Sequence, residues 1–171
     1  MSIYHFDMPV LTNSMAPLSV KDRGGVEVYS IKKFFTAKWQ GILTGIMPGF
    51  VTNVRVFRRN EEVAETIDAV RLFGRPRWEV RDLVNGLSYT LQDKSMVKTH
   101  PRAVISIESK EYIIESNFGD KETIVSLDNK KVVRLSYTGR IPPREYTIEF
   151  FDENLNEALF ICLLYTYEIG Q

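Results

Sequence analysis

Between Leu155 and Tyr167 the apolar side chains are Leu155, Ala158, Leu159, Phe160, Ile161, Cys162, Leu163, Leu164, Tyr165 and Tyr167, and on a helix they leave no polar stripe. A helix that is apolar all round must be enclosed by protein or by lipid. Its unbroken run, Ala158 to Tyr165, falls far short of the about 20 residues needed to cross a bilayer. Enclosure by protein follows, and the rest of the chain must supply the wrapping. Asn154, with Glu157 three positions on, forms a capping-box pattern that starts this central helix, placed over 154–167.

What precedes it reads as strands. In Arg77-Trp78-Glu79-Val80-Arg81 apolar residues alternate with charges, as on a strand with one wet face. Asn85-Gly86 then predicts a type I′ hairpin, and Leu87, Tyr89 and Leu91 alternate away from it. The same pattern runs through Ala103 to Ile107, a turn near Ser109-Lys110, Glu111 to Glu115, Glu122 to Leu127, a turn at Asp128-Asn129, and Lys131 to Tyr137. Ile141-Pro142-Pro143 interrupts pairing before Tyr146, Ile148 and Phe150 resume it. Short strands at this spacing, with one helix to enclose, predict a mainly β fold: a closed or nearly closed antiparallel β-barrel around the C-terminal helix. A length of 171 residues suits one such domain.

The first half is less regular. Residues 1–25 read as a lead-in, Val26 to Ile31 as a strand after Gly24-Gly25, and Val51 to Arg58 as another with Val54 and Val56 on one side. Glu61-Glu62 followed by Val63, Ile67 and Val70 fits a short capped helix over 61–71; a β-branched strand over Glu62 to Leu72 is the alternative.

Charge sharpens the picture. The chain has 22 basic and 22 acidic residues, a balance that argues against nucleic acid as a partner. Yet residues 28–60 hold Lys32, Lys33, Lys38, Arg55, Arg58 and Arg59 without one acid, and no basic residue follows Arg144. Either the two segments lie side by side and neutralise each other, or the basic one marks a partner surface.

The run Phe73-Gly74-Arg75-Pro76-Arg77-Trp78-Glu79-Val80-Arg81-Asp82 leading to Asn85-Gly86, and the ending Tyr146-Thr147-Ile148-Glu149-Phe150-Phe151-Asp152 into the apolar helix, resemble the tubby C-terminal-like superfamily. That superfamily includes the LURP-one-related proteins and the phospholipid scramblases, and the likeness, over roughly 26–170, is nearest to its small bacterial members. The resemblance implies a twelve-stranded barrel around a central helix, and a lipid- or membrane-directed role. No basic motif aligns with the family's lipid-binding residues, and the calcium-loop and cysteine patterns of scramblases are missing from the sequence.

Motifs of catalysis do not appear: no Walker A, Gly-x-Gly-x-x-Gly, His-Glu-x-x-His or Gly-x-Ser-x-Gly. His5 and His100 lack metal-ligand spacing, and Cys162 sits among Ile161, Leu163 and Leu164, where a thiol behaves as a small hydrophobe. The chain is thus expected to be no enzyme, with no cofactor, no metal and no catalytic residue. A lone cysteine and the lack of a secretory signal imply a cytoplasmic setting.

One segment points to a surface. Lys32-Lys33-Phe34-Phe35-Thr36-Ala37-Lys38-Trp39 sets cations beside aromatics, and the uncharged Gly41 to Phe50 follows. Cations attract anionic head groups while Trp and Phe settle at the acyl boundary. Lys32, Lys33, Lys38, Trp39, Arg58 and Arg59 are therefore the candidate lipid-binding residues, in a protein peripheral to the membrane. On the opposing reading Trp39, Ile42 and Ile46 pack on the barrel and the lysines are ordinary surface. A protein-interaction or scaffold module without lipid is the alternative function; a ligand-holding barrel is weaker, because the helix fills the space.

Overall fold

The computed structural model describes residues 1–8, 14–46, 51–70, 75–95, 101–116, 121–139 and 144–170. Within them the chain forms β1 (Ser2–Met8), β2 (Leu18–Asp22), β3 (Glu27–Lys33), α1 (Lys38–Ile46), β4 (Val54–Arg58), β5 (Glu61–Asp68), β6 (Arg77–Asp82), β7 (Leu87–Asp93), β8 (Arg102–Ile107), β9 (Lys110–Ser116), β10 (Glu122–Leu127), β11 (Lys130–Thr138), β12 (Arg144–Phe150) and α2 (Glu157–Ile169). Each strand pairs antiparallel with its neighbour in sequence, and β1 closes on β12. The expected barrel is present, with twelve strands. Residues 1–25 do more than lead in: they contribute β1 and β2 to its wall.

Period-two alternation turns one face of each strand inward, and α2 fills the enclosed space. Ala158 through Tyr167 are all buried, as the unstriped pattern required. Phe160 meets the Tyr112 ring edge-on at 5.1 Å, and Phe6 meets Tyr165 at 6.1 Å. Thr66 and Thr166 share a hydrogen bond, and the Thr166 hydroxyl donates to the Cys162 carbonyl at 2.8 Å, so these interior hydroxyls are partnered. Burial pushes the Cys162 thiol up to about 12, which suits a packing residue and not a nucleophile. The cap differs from expectation. Asn156, not Asn154, starts the helix and accepts from the Leu159 amide at 3.2 Å, while Asn154 turns back to Asp152.

Where a short helix over 61–71 is expected, the described residues form the strand β5, Glu61–Asp68, a correction toward the strand alternative. Arg59 and Asn60, at φ of 50° and 68°, make a two-residue turn that folds β5 back on β4. The pairing then slips: Phe57 faces Glu62 but Val56 faces Ala64, leaving Val63 as an extra residue. Such a bulge breaks the period of two, so Val63, Ile67 and Val70 took on helical spacing. Leu72 lies outside the described residues, as do Gly74, His100 and the break at Ile141-Pro142-Pro143.

The Asn85-Gly86 turn is also different in kind. Four residues connect β6 to β7, and of the pair only Gly86 has positive φ, at 68°. Glu108-Ser109 and Asp128-Asn129, both with two positive φ values, form the tight turns instead. At Asn85 the buried Asp82 carboxylate organises the chain. It accepts from the amides of Val84 and Asn85, from the Asn85 side chain at 2.8 Å, and from Asn156 Nδ2 at 2.8 Å. One carboxylate thus ties the β6–β7 turn to the cap of α2. Asp82→Ala strands these donors and should lower unfolding free energy by about 2 kcal/mol, read by urea denaturation.

The barrel has two unlike ends. Connections β2–β3, β4–β5, β6–β7, β8–β9 and β10–β11 are two to four residues long, and α2 starts at this turn end, beside Asp82. The other strand-to-strand connections run from five to twenty residues and emerge at the opposite, loop end, where Gly170 meets Trp78. α1 belongs to the longest of them.

Candidate functional site

β3 and β4 run antiparallel, with Lys33 opposite Val54 and Ser30 opposite Phe57. The candidate residues therefore part company. Lys32, Lys33, Lys38 and Trp39 lie at the loop end, whereas Arg58 and Arg59 lie at the turn end, about 13 Å away along β4 at roughly 3.3 Å per residue. Arg58 stands over the Tyr29 ring at 5.8 Å, in a cleft of about 450 Å³ with Glu157 and Val84. Arg55 is neutralised: it meets Glu62 at 2.8 Å and Glu65 at 2.9 Å, and its guanidinium covers the Phe34 ring at 4.1 Å. Its acids come from β5. Those of the C-terminal segment go elsewhere: Glu149 to Arg134, Glu157 to the hydroxyls of Tyr4 and Tyr29, and Glu168 to the hydroxyl of Tyr146.

The remaining basic residues differ in exposure. Lys32 and Lys38 are exposed. Lys33 continues the inward face of Tyr29 and Ile31, is half-buried at the strand end, and burial brings its pKa down to about 8. It is not a surface cation like its neighbours.

α1 supplies the feature that sequence reading left undecided. Its buried residues are Gln40 and Thr44, four apart, while Trp39, Ile42 and Ile46 are 47%, 67% and 73% exposed. Spacing of three and four puts those three on one stripe, so the helix turns its polar face to the protein and its apolar face outward. The packing of Trp39, Ile42 and Ile46 onto the barrel does not occur. Hydrogen bonds hold the polar face down. Gln40 Oε1 accepts from the Thr36 amide at 2.8 Å and from Asn53 Nδ2 at 3.1 Å, and Asn53 Oδ1 accepts from the Asp68 amide at 2.8 Å. Asp68 Oδ2 accepts from the Thr52 amide, and burial raises the pKa of this carboxyl. The signal in the sequence was the pairing of Gln40 with Thr44 inside an apolar run, with Ile42 and Ile46 one helical turn apart. The run Met47-Pro48-Gly49-Phe50 lies outside the described residues.

No helix among the described residues is long and apolar enough to cross a membrane. Among them, too, no three His, Cys, Asp or Glu side chains gather as a metal site would require. His5 Nδ1 stands 3.1 Å from Thr147 Oγ1, a cross-strand contact on the barrel wall.

A closed antiparallel barrel threaded by a buried apolar helix is a tubby-like architecture. The chain matches the Tubby C-terminal like domain over residues 4–171 and belongs to that family. No curated protein and no solved structure matches it.

Proposed function

We propose that this protein is a non-enzymatic tubby-like barrel that docks from the cytoplasmic side on membranes rich in anionic phospholipid. The observation that carries the reading is the outward apolar stripe of α1, Trp39, Ile42 and Ile46, with Lys32 and Lys38 exposed beside it. Soluble helices bury such a stripe; interfacial helices lay it at the acyl boundary and keep cations among the head groups. Arg58 and Arg59 stand at the far end of the barrel and take no part, and Lys33 contributes less than its neighbours because it is half-buried.

Flotation with vesicles of phosphatidylserine and phosphatidylcholine, against phosphatidylcholine alone, tests the proposal. Each exposed cation near an anionic surface contributes about 1 kcal/mol, so Lys32 and Lys38 together should favour the anionic vesicles by at least tenfold. Equal binding to both, or none to either, sinks the reading. A scaffold role is the alternative, supported by the exposed apolar side chains Val26, Val84, Leu87 and Phe151 at the turn end. Capture of a protein partner that persists at high salt, without vesicle binding, would select it.

A further inference from the structure

The cations that give this docking its preference for anionic lipid are not confined to the segment around α1. The hydrogen bonds that seat α1 continue past it. Asn53, which holds Gln40, also holds the Asp68 amide at the end of β5. The next amide, Ala69, donates to the Arg77 carbonyl at 3.0 Å. Asp93 then donates from its amide to the Pro76 carbonyl at 3.1 Å, and the Lys94 amide to the Arg102 carbonyl at 2.7 Å. Three successive connections of the loop end, β3–β4, β5–β6 and β7–β8, are thereby joined into one hydrogen-bonded rim.

Arg75, Arg77 and Lys94 are exposed along that rim, beyond Lys38. Its acids are engaged locally: Asp68 accepts from the amides of Thr52 and Val70, and Asp93 from the Ser95 amide at 2.7 Å. Arg102, next along, is paired with Glu115 at 3.3 Å. Beyond it, among the described residues, the two signs intermix: Glu115 pairs with Arg102, Glu122 pairs with Arg134 at 3.5 Å, and Lys121 and Arg144 stand next to Glu122 and Glu145 in the chain. The exposed cations Arg75, Arg77 and Lys94 are thus gathered on the α1 side.

We propose that Arg75, Arg77 and Lys94 are lipid-selecting residues: they contact anionic head groups beside α1, and hold the barrel with the β3–β8 side of its loop end on the bilayer. This rests on the membrane reading of α1 and divides its labour. The apolar stripe supplies insertion, and the rim adds to the preference for anionic over neutral lipid that Lys32 and Lys38 begin. A single short helix on a surface leaves the tilt of the attached barrel weakly fixed, and a second contact from another connection restrains it. Attraction to a charged surface falls off within a Debye length, about 8 Å at physiological salt, so only cations on the facing end contribute.

The test compares two sets with the same change in net charge: Arg75→Glu with Arg77→Glu and Lys94→Glu at the rim, and Arg23→Glu with Arg58→Glu and Arg59→Glu at the turn end. Binding of the full chain is measured to vesicles of 30% phosphatidylserine in phosphatidylcholine and to phosphatidylcholine alone. At roughly fivefold per cation, loss of three cuts affinity for the anionic vesicles by about 100-fold, and the three added carboxylates should push the loss beyond that. Residual affinity for neutral vesicles should stay unchanged, and the turn-end set should bind like wild type. Equal losses from both sets would mean that net charge alone matters, and an unchanged rim set would mean that these cations do not face lipid; either overturns the inference and leaves α1 docking intact. Absence of vesicle binding by wild type overturns both. Should the rim set unfold, seen by circular dichroism, the glutamine set Arg75→Gln, Arg77→Gln and Lys94→Gln decides, with the same expected direction.

Discussion

Phe160→Ala should destabilise the protein by about 4 kcal/mol, the largest single loss expected from any substitution considered. Phe160 is 2% exposed in the first half of α2, with the Tyr112 ring edge-on against it and no solvent path into which the wall could relax. Truncation removes the transfer energy of a benzyl group and leaves a cavity, because a closed wall cannot collapse onto a smaller helix without breaking ladder hydrogen bonds. Domains of this size are stable by about 5–15 kcal/mol, so the variant would be near the edge of folding. Cys162 offers a direct reading. It is fully buried and the only cysteine of the chain, so alkylation should require opening of the barrel and should run far faster in the variant. A loss below about 1 kcal/mol would mean that α2 is not tightly enclosed.

The same helix explains what could be read from sequence. Ala158 to Tyr167 needed no long-range information, since a helix that leaves no polar stripe has no face to turn to water. The strands from β6 onward were legible for the same reason: each alternates, and each alternation has one dry side. β5 was not, because the bulge at Val63 shifts the phase of the pattern in mid-strand. The turns misled in a different way. Asn85-Gly86 has ideal chemistry for a two-residue hairpin, but Asp82 captures the amides of Val84 and Asn85 and fixes a four-residue turn, while Arg59-Asn60 and Glu108-Ser109 reach positive φ without glycine. Capture of the backbone by a side chain two and three residues earlier is a local alternative that competes with the hairpin chemistry of the Asn-Gly pair.

The site was less legible than the fold because sequence neighbours are not surface neighbours. Six cations within 28–60 form one linear feature, and an antiparallel return between β3 and β4 sends them to both ends of a barrel. Arg55 is cancelled by Glu62 and Glu65 across a strand pair. Arg75, Arg77 and Lys94, distant in sequence and interspersed with acids, come round to the side of α1 because the meander returns to the loop end at every second connection.

Ile42→Gln combined with Ile46→Gln should weaken binding to anionic vesicles by about 30- to 700-fold, since withdrawing a branched aliphatic side chain from an apolar phase costs roughly 1–2 kcal/mol when its burial is partial. Stability should hardly move, because both side chains are already exposed and glutamine keeps the helix propensity that glycines at 41 and 45 make marginal. Trp39 reports the same event optically. It is 47% exposed while Trp78, the other tryptophan, is 3% exposed, so a blue shift on adding vesicles arises from Trp39. Wild type should show that shift and quenching by lipids brominated near the head of the acyl chain; the double variant should show both only at much higher lipid. Should the double variant bind within threefold of wild type, α1 would not be the inserted element, and the outward stripe would have to face a protein instead.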